Sequence, residues 1–234
     1  MINKLSFTQR AQLLVSEAVM EKIKRTKVLL FGVGGVGSFC AEALIRSGFE
    51  HLSLVDFDRI ELSNLNRQLM THQQNISQLK VDVLKERLLS INPNATIDIY
   101  PIYFDSEDQL DFSKYDAVFD AIDSSKSKLL IAKLAQKHNV FHVMALGTAR
   151  KLNPSLVIET YLFKTSGDPL ARIMRASLKK HQLKDCRVVT STETALPSTL
   201  DEERQSIVNG SMIFVPATAG LKMAAMLVEY LRTL

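Results

Sequence analysis

The stretch Val28-Leu29-Leu30-Phe31-Gly32-Val33-Gly34-Gly35-Val36-Gly37 decides how the rest of the chain is read. Four apolar residues in a row suit a short strand buried on both faces, and the glycines after it mark a tight turn. A helix pattern follows, with Ala41, Leu44 and Ile45 inward and a stop near Gly48. Leu52-Ser53-Leu54-Val55 reads as a second strand, so residues 28–55 make one strand–helix–strand unit. In that setting Gly32-x-Gly34-x-x-Gly37 is a phosphate-binding fingerprint, because the loop lets backbone N–H groups approach phosphates with a positive helix end behind them. Asp56 closes the second strand, where a carboxylate can take ribose hydroxyls. These features suit a dinucleotide as well as a nucleoside triphosphate.

Working outward, Ser6-Phe7-Thr8-Gln9 has capping-box spacing, and Leu13, Leu14, Val19, Met20 and Ile23 give the helix after it an apolar stripe. Residues 77–91 predict a helix with Val81, Leu84, Leu88 and Ile91 on one face and Pro93 beyond its end. Strands are expected at 96–101, 117–121 and 140–145, with a helix between the last two. The alternation implies an α/β, Rossmann-like fold with a largely parallel sheet. After Gly147 the pattern becomes mixed. Residues 156–163 read as a long strand, Pro169–Lys180 as a basic helix and 187–189 as another strand. Residues 192–210 lack a period and read as a mobile or functional loop, 211–215 as a strand, and Pro216 as the opening of a terminal helix. The expected organisation is one domain over 1–234, comprising an N-terminal helix (1–26), a nucleotide-binding half (27–147) and a substrate-side half (148–234).

The 234 residues carry a net charge of +4, a weak hint of an anionic partner. Charges interrupt every long apolar window, so no membrane span is expected. No apolar segment of the signal-peptide kind follows Lys4, which makes the cytoplasm the default location. Cys40 and Cys186 make neither a disulfide framework nor a CxxC zinc pair. Cys40 reads as a packed small residue; Cys186 stands beside basic residues able to lower its pKa, although a structural role is the better reading. His138 and His142 read as surface or strand-edge residues, and no histidine has metal spacing.

The run from Asp56 to Gln68, Asp-Phe-Asp-Arg-Ile-Glu-Leu-Ser-Asn-Leu-Asn-Arg-Gln, breaks the tie between dinucleotide and triphosphate. Hydride chemistry has no use for an Arg-Gln cluster directly after the second strand, whereas a triphosphate needs added cations. Arg67 and Lys80 can hold outer phosphates and stabilise departing pyrophosphate, with Asn64 and Gln68 as neutral donors. Each cation alone would read as solvated surface charge. Asp120-Ala121-Ile122-Asp123-Ser124 ends a strand at the sheet edge where ligands collect, and a carboxylate there can hold Mg²⁺. Asp123 is the better ligand, its alternative being a helix cap; Asp120 supports the loop or caps a helix.

Together, Gly32-x-Gly34-Gly35-x-Gly37-Ser38, Asp56-x-Asp58, Ser63-Asn64-x-x-Arg67-Gln68, Lys80 and Asp120-x-x-Asp123 resemble the ubiquitin-activating-like (ThiF/MoeB-type) adenylyltransferases. Those enzymes activate a carboxylate as its acyl adenylate. The resemblance implies ATP and Mg²⁺ as cofactors, with Gly32, Gly34, Gly35 and Gly37 at the phosphates, Asp56 on the ribose and Asp58 among the nucleotide-binding residues. It places Ser63, Asn64, Asn66, Arg67, Gln68 and Lys80 around the triphosphate, Asp123 on Mg²⁺ and Ser124 beside it. Arg10 resembles an N-terminal arginine that reaches the neighbouring subunit's ATP site, which implies a homodimer.

In the second half, Asp168-Pro169-Leu170-Ala171, Val189-Thr190-Ser191-Thr192-Glu193 and Gly210-Ser211-x-x-Phe214-Val215-Pro216-x-x-Ala219-Gly220 are most similar to the tRNA threonylcarbamoyladenosine dehydratase branch, which cyclises a threonylcarbamoyl group on tRNA. Gly147-Thr148-Ala149 departs from the more glycine-rich turn of that branch. The implied reaction needs no protein nucleophile, because the substrate's own carbamoyl group closes the ring. A tRNA should leave a basic footprint, and Arg172, Arg175 and Lys179 share one helix face opposite Leu170, Ile173, Met174 and Leu178. Glu193 is a further candidate substrate contact. A sulfur-carrier adenylyltransferase, acting on a small carrier protein or in a sulfur relay, is the rival within the fold. A nicotinamide oxidoreductase and a non-catalytic partner-binding module are more distant ones.

Overall fold

The computed structural model describes residues 7–201 and 206–234, with Asp201 and residues 206–208 described by their backbone alone. Its strands are β1 (Lys27–Phe31), β2 (His51–Val55), β3 (Thr96–Tyr100), β4 (Ala117–Asp120), β5 (Phe141–Ala145), β6 (Val157–Tyr161) and β7 (Arg187–Ser191). They form one sheet in the order β3-β2-β1-β4-β5-β7-β6, parallel except for the antiparallel edge strand β6. The sequence order reverses between β1 and β4, and the crevice beyond the carboxyl ends of those strands is where ligands bind in such sheets.

Both faces of the sheet are covered, which explains the uninterrupted apolar run of β1. Val28 and Leu30 join the core under α1 (Glu17–Arg25), α2 (Gly37–Arg46), α3 (Lys80–Ile91) and the last helix. Leu29 and Phe31 point the other way, into a cluster with Phe104, Phe112, Val118, Ile131 and Leu134. Helices α4 (Ser125–Lys137) and α5 (Pro169–Lys180) cover that second face. Helix α6 (Phe214–Thr233) crosses α2 at Gly220, where a Cβ would stand 2.2 Å from the Val36 carbonyl oxygen. Only glycine permits that approach. Although α6 is long and apolar enough to span a membrane, it buries Val215, Ala219, Met223, Leu227 and Leu231 in the core.

The structure corrects several expectations. Helix α1 starts at Glu17, capped by the Ser16 hydroxyl accepting the Val19 N–H, and Leu13 and Leu14 lie outside it and exposed. The capping residue expected at Ser6 lies outside the described residues. Ser77 takes φ 72°, a left-handed conformation no helix interior accepts, so α3 begins only at Lys80. Residues 156–163 do not form one strand, since short 3-10 turns at Pro154–Leu156 and Leu162–Lys164 trim β6 at both ends. The aperiodic 192–210 segment contains a small hairpin, β8 (Thr199–Asp201) with β9 (Ser206–Val208). Residues 211–215 are not a strand, because α6 begins at Phe214 and Pro216 falls within its first turn, where its missing N–H leaves no bond unmade. Ile173, expected on the inward face of α5, is exposed; Ala171, Met174 and Leu178 are the buried residues.

His142 is not at a surface or strand edge but buried in β5, and neither ring nitrogen has a hydrogen-bond partner among the described residues. Burial, with the Lys128 charge adding to it, pushes its pKa down to about 3, so the ring is neutral at physiological pH. Cys186 is also buried, and burial pushes its thiol up to about 12, against the lowering that its basic neighbours in sequence suggested.

Candidate active site

A cavity of about 410 Å³ opens at the reversal point. One wall is the turn after β1. Gly32 adopts φ 80° and donates its N–H to the Val55 carbonyl at 2.8 Å. A Cβ at Gly32 would lie 2.7 Å from the Ala121 carbonyl oxygen, and one at Gly37 1.8 Å from the Gly32 carbonyl oxygen. These two glycines close the loop on itself and on the end of β4. Gly34 instead faces the cavity, while Gly35 backs onto Arg67 and Pro216.

Asp56, just past β2, fastens this turn. Its Oδ2 accepts the Val33 N–H at 2.8 Å and its Oδ1 the Asp58 N–H at 2.9 Å. Burial raises its pKa, against the lowering effect of Lys80 and those two N–H groups. Asp58 stands nearby in a 2.6 Å ion pair with the buried Nζ of Lys80, the first residue of α3. Asn64 and Gln68 are buried in the same wall, and the side-chain oxygen of Gln68 has no hydrogen-bond partner among the described residues. Arg67 lines the cavity with its guanidinium donating to the Ser63 carbonyl and Asn66 Oδ1.

The opposite wall is the chain leaving β4. Asp123 is exposed to the cavity, and Ser124 caps α4 while facing the Tyr103 hydroxyl at 3.3 Å. The cavity thus gathers Gly32, Gly34, Asp56, Asp58, Asn64, Arg67, Gln68, Lys80, Asp123 and Ser124 from the sites expected on sequence grounds. It does not gather Gly35, Gly37, Ser63 or Asn66, which are not among its lining residues; Asn66 spends its amide on the Ser211 carbonyl at 2.8 Å. Arg10 precedes a 3-10 turn at Ala11–Leu13 and does not line the cavity of its own chain.

Sequence reasoning missed the apolar part of the lining. Ile102, Tyr103 and Phe104 follow β3, Ile122 follows β4, and Phe57 meets Tyr103 edge-on at 5.2 Å between ring centroids. The Pro101-Ile102-Tyr103-Phe104 run directly after a strand was the available signal, since ligands of such sheets bind beyond the carboxyl ends of the strands. It also missed Lys128, fully buried in α4 and paired with Asp120 at 2.8 Å.

On charge, the lining carries Asp56, Asp58, Glu61 and Asp123 against Arg59, Arg67 and Lys80. Three cations cannot neutralise both these carboxylates and a polyphosphate. A divalent cation held by one or two carboxylates together with phosphate oxygens would supply the missing charge, and that is how Mg²⁺ is ordinarily bound.

Away from the cavity, the second half is tied by different contacts. Glu193 accepts the backbone N–H groups of Leu152 and Asn153, and Arg175 donates to the Thr165 carbonyl at 2.9 Å. Lys179 lies over the Phe163 ring and Arg172 is exposed. Gly147, with φ 51°, turns tightly against Asp168, leaving no room for a side chain. The departure at Gly147-Thr148-Ala149 therefore keeps the glycine the turn needs.

Comparison with known proteins gives the lineage. The model of the ThiF family matches residues 8–231. The chain belongs to the ThiF family. The tRNA threonylcarbamoyladenosine dehydratase of Bacillus subtilis (strain 168) is 34% identical over 230 residues, covering 92% of this chain and 90% of that protein. The crystal structure of E. coli tRNA N6-threonylcarbamoyladenosine dehydratase in complex with ATP superposes with a TM-score of 0.88 at 25% identity, covering 100% of this chain and 97% of that one. A sulfur carrier protein adenylyltransferase of Thermus thermophilus is 33% identical over 112 residues only, 47% of this chain and 41% of that protein.

Proposed function

We propose that this ThiF-family enzyme is an ATP-dependent tRNA threonylcarbamoyladenosine dehydratase. The observation that carries the reading is the similarity across the second half. The dehydratase relative spans nearly the whole chain, whereas the sulfur-carrier relative covers under half of it. The cavity at the β1–β4 reversal takes ATP, with Gly34 at the phosphates, Asp56 and Asp58 at the ribose, and the Phe57, Ile102 and Tyr103 side at the base.

Arg67 and Lys80 then neutralise the β- and γ-phosphates and hold the departing pyrophosphate, Arg67 as a planar fork and Lys80 as a point charge. Asn64 and Gln68 supply neutral polar contacts, while Gly35, Gly37, Ser63 and Asn66 hold the loop from behind. Asp123, with Ser124 beside it, would hold Mg²⁺, which when bound screens the phosphates and polarises the α-phosphoryl group. The threonyl carboxylate of the substrate attacks the α-phosphorus and pyrophosphate leaves. The substrate's carbamoyl group then attacks the acyl adenylate, releasing AMP and closing the ring, and its intramolecular geometry supplies much of the rate.

On this reading residues 27–147 form the nucleotide half and 148–234 the acyl half of one domain. Arg172, Lys179 and Arg175 on α5 meet tRNA phosphates, with Arg175 contributing least because Thr165 already holds it. Glu193 acts by fixing the 152–153 backbone near the acyl group. The enzyme works in the cytoplasm, where its tRNA is found, as a homodimer in which Arg10 completes the partner's ATP site. Nucleoside analysis of modified tRNA incubated with protein, ATP and Mg²⁺ tests the reading. The expected result is ring closure with AMP and pyrophosphate release; AMP release only on adding a small carrier protein would replace it with the sulfur-carrier alternative. Reversing Arg172 and Lys179 to glutamate should weaken tRNA binding and flatten its salt dependence.

A further inference from the structure

Lys128 and Asp120 are both fully buried, and the reaction scheme above uses neither. As a source of stability the pair is weak, since taking two charges out of water offsets most of their attraction, and apolar replacements of such pairs are often neutral or stabilising. Their placement is more telling. Lys128 Nζ reaches from α4 to Asp120 Oδ1 and to the Ala145 carbonyl oxygen, at 2.8 Å each, which are the last residues of β4 and β5. The same Oδ1 accepts the Ile122 N–H at 3.3 Å. The next two residues are Asp123 and Ser124, in the cavity wall. The Ala121 carbonyl, between Asp120 and Ile122, already packs closely on Gly32. One carboxylate oxygen therefore sets the angle at which the chain turns out of β4, and one ammonium holds that oxygen and the neighbouring strand end. Asp120 Oδ2 has no partner among the described residues, so the orientation of the carboxylate rests on Oδ1.

We infer that Lys128 and Asp120 form a positioning clamp that aims the Asp123 carboxylate at Mg²⁺ and the phosphates in the nucleotide cavity. This rests on the ATP reading of the cavity given above. The clamp touches no substrate; it acts through Asp123.

The test is a mutant cycle on the full-length protein. One arm is Asp120→Val with Lys128→Met, which removes both charges together and avoids a lone buried ion. The other is Asp123→Asn. ATP affinity by calorimetry with and without Mg²⁺, melting temperature and kcat are measured for each arm and for the combination. The expected result is a double variant that melts near wild type and keeps its metal-free ATP affinity. It should lose most of the Mg²⁺-dependent gain in affinity and about 10²-fold in kcat, the scale of a misplacement near 1 Å. Adding Asp123→Asn should then cause little further loss, because both changes disable one device.

Asp120→Asn with Lys128→Gln keeps an acceptor and a donor in the same places without leaving a lone buried ion, and should retain the Mg²⁺ gain to within about threefold. Full Mg²⁺ gain and kcat in the double variant would overturn the clamp, as would losses that multiply with those of Asp123→Asn. If wild-type protein bound ATP without any Mg²⁺ gain, the reading of the cavity would fall, and the clamp with it.

Discussion

The glycine loop makes a prediction that separates two functions of the same residue type. At Gly37 a Cβ would sit 1.8 Å from the Gly32 carbonyl oxygen and 2.9 Å from its carbon, both backbone atoms of the tightest part of the turn. Reaching even the 3.0 Å limit of real Cβ contacts means moving one segment by more than 1 Å, in a region fixed by Asp56 below and Ala121 alongside. Overpacking of this kind is destabilising by about 3 kcal/mol, and at about 2–4 °C per kcal/mol in a chain of this size Gly37→Ala should lower the melting temperature by roughly 10 °C. Gly34 is the contrast. A Cβ there meets nothing nearer than the Gln68 amide nitrogen at 3.5 Å, an ordinary contact, and it projects into the cavity. Gly34→Ala should therefore melt within a degree or two of wild type, while its ATP affinity falls at least tenfold as the methyl holds the phosphates off the backbone. Differential scanning fluorimetry and calorimetric ATP titration on both variants give the two numbers. A Gly37→Ala protein of unchanged melting temperature would refute the contact argument, and a Gly34→Ala protein of unchanged ATP affinity would remove the phosphates from that loop.

Lys80→Ala strips the buried cation from Asp58 and leaves carboxylates facing the outer phosphates; adenylate formation, followed as pyrophosphate release, should slow by about 10²-fold or more, the usual scale for losing one charge-stabilising group. Asp56 gives a pH signature. Its pKa is raised, so its protonated form contributes stability that is present below the ordinary carboxylate range and is lost as pH rises through the raised value. ATP affinity should run the opposite way, weakening on acidification as Asp56 loses its charge for the ribose hydroxyls; Asp56→Asn should flatten that dependence in titrations between about pH 4 and 7. Burial pushes the Cys186 thiol up to about 12 and raises Cys40 as well. Native protein should resist iodoacetamide at pH 8 while denatured protein takes up two labels, and Cys186→Ala should retain ring closure; its loss would bring a thioester step back into consideration.

How much of this was legible in the chain depends on whether the signal was local. The parallel strands up to Ala145 follow from apolar runs and glycines that act on their immediate neighbours, and Asp56, Asp58, Asp123 and Ser124 sit just past strand ends, where topology gathers them. What escaped was set by contacts between distant segments. The departure of α1 from its expected start depends on Ser16 rather than on the capping pattern that begins ten residues earlier at Ser6, and α3 is cut short by the left-handed Ser77. His142 looked like an exposed polar residue because nothing local says that β5 is flanked by β4 and β7 and roofed by α4 and α5. Lys128 was illegible for the same reason, since a lysine in a helix reads as solvated until its ion pair with Asp120, eight residues away, is seen.

The burial of both cysteines bears on how the two chemical steps divide the work. With each thiol enclosed and held protonated, neither is set up to take the acyl group from the adenylate, so that intermediate must be consumed where it forms. An acyl adenylate is hydrolysed if water reaches it first. The second half must then present the carbamoyl group within reach before pyrophosphate leaves, and the contacts that tie it to the nucleotide wall are the means of doing so. Asn66, next to Arg67, holds the Ser211 carbonyl; Arg150 donates its N–H to Gly210 and accepts that of Leu196; Glu193 holds 152–153. Through these bonds the Asn66–Arg67 stretch is tied to Ser211, and Arg150 to Gly210 and Leu196. Occupation of the triphosphate subsite can thereby set the position of the acyl half, and ring closure can follow adenylation without release of the intermediate.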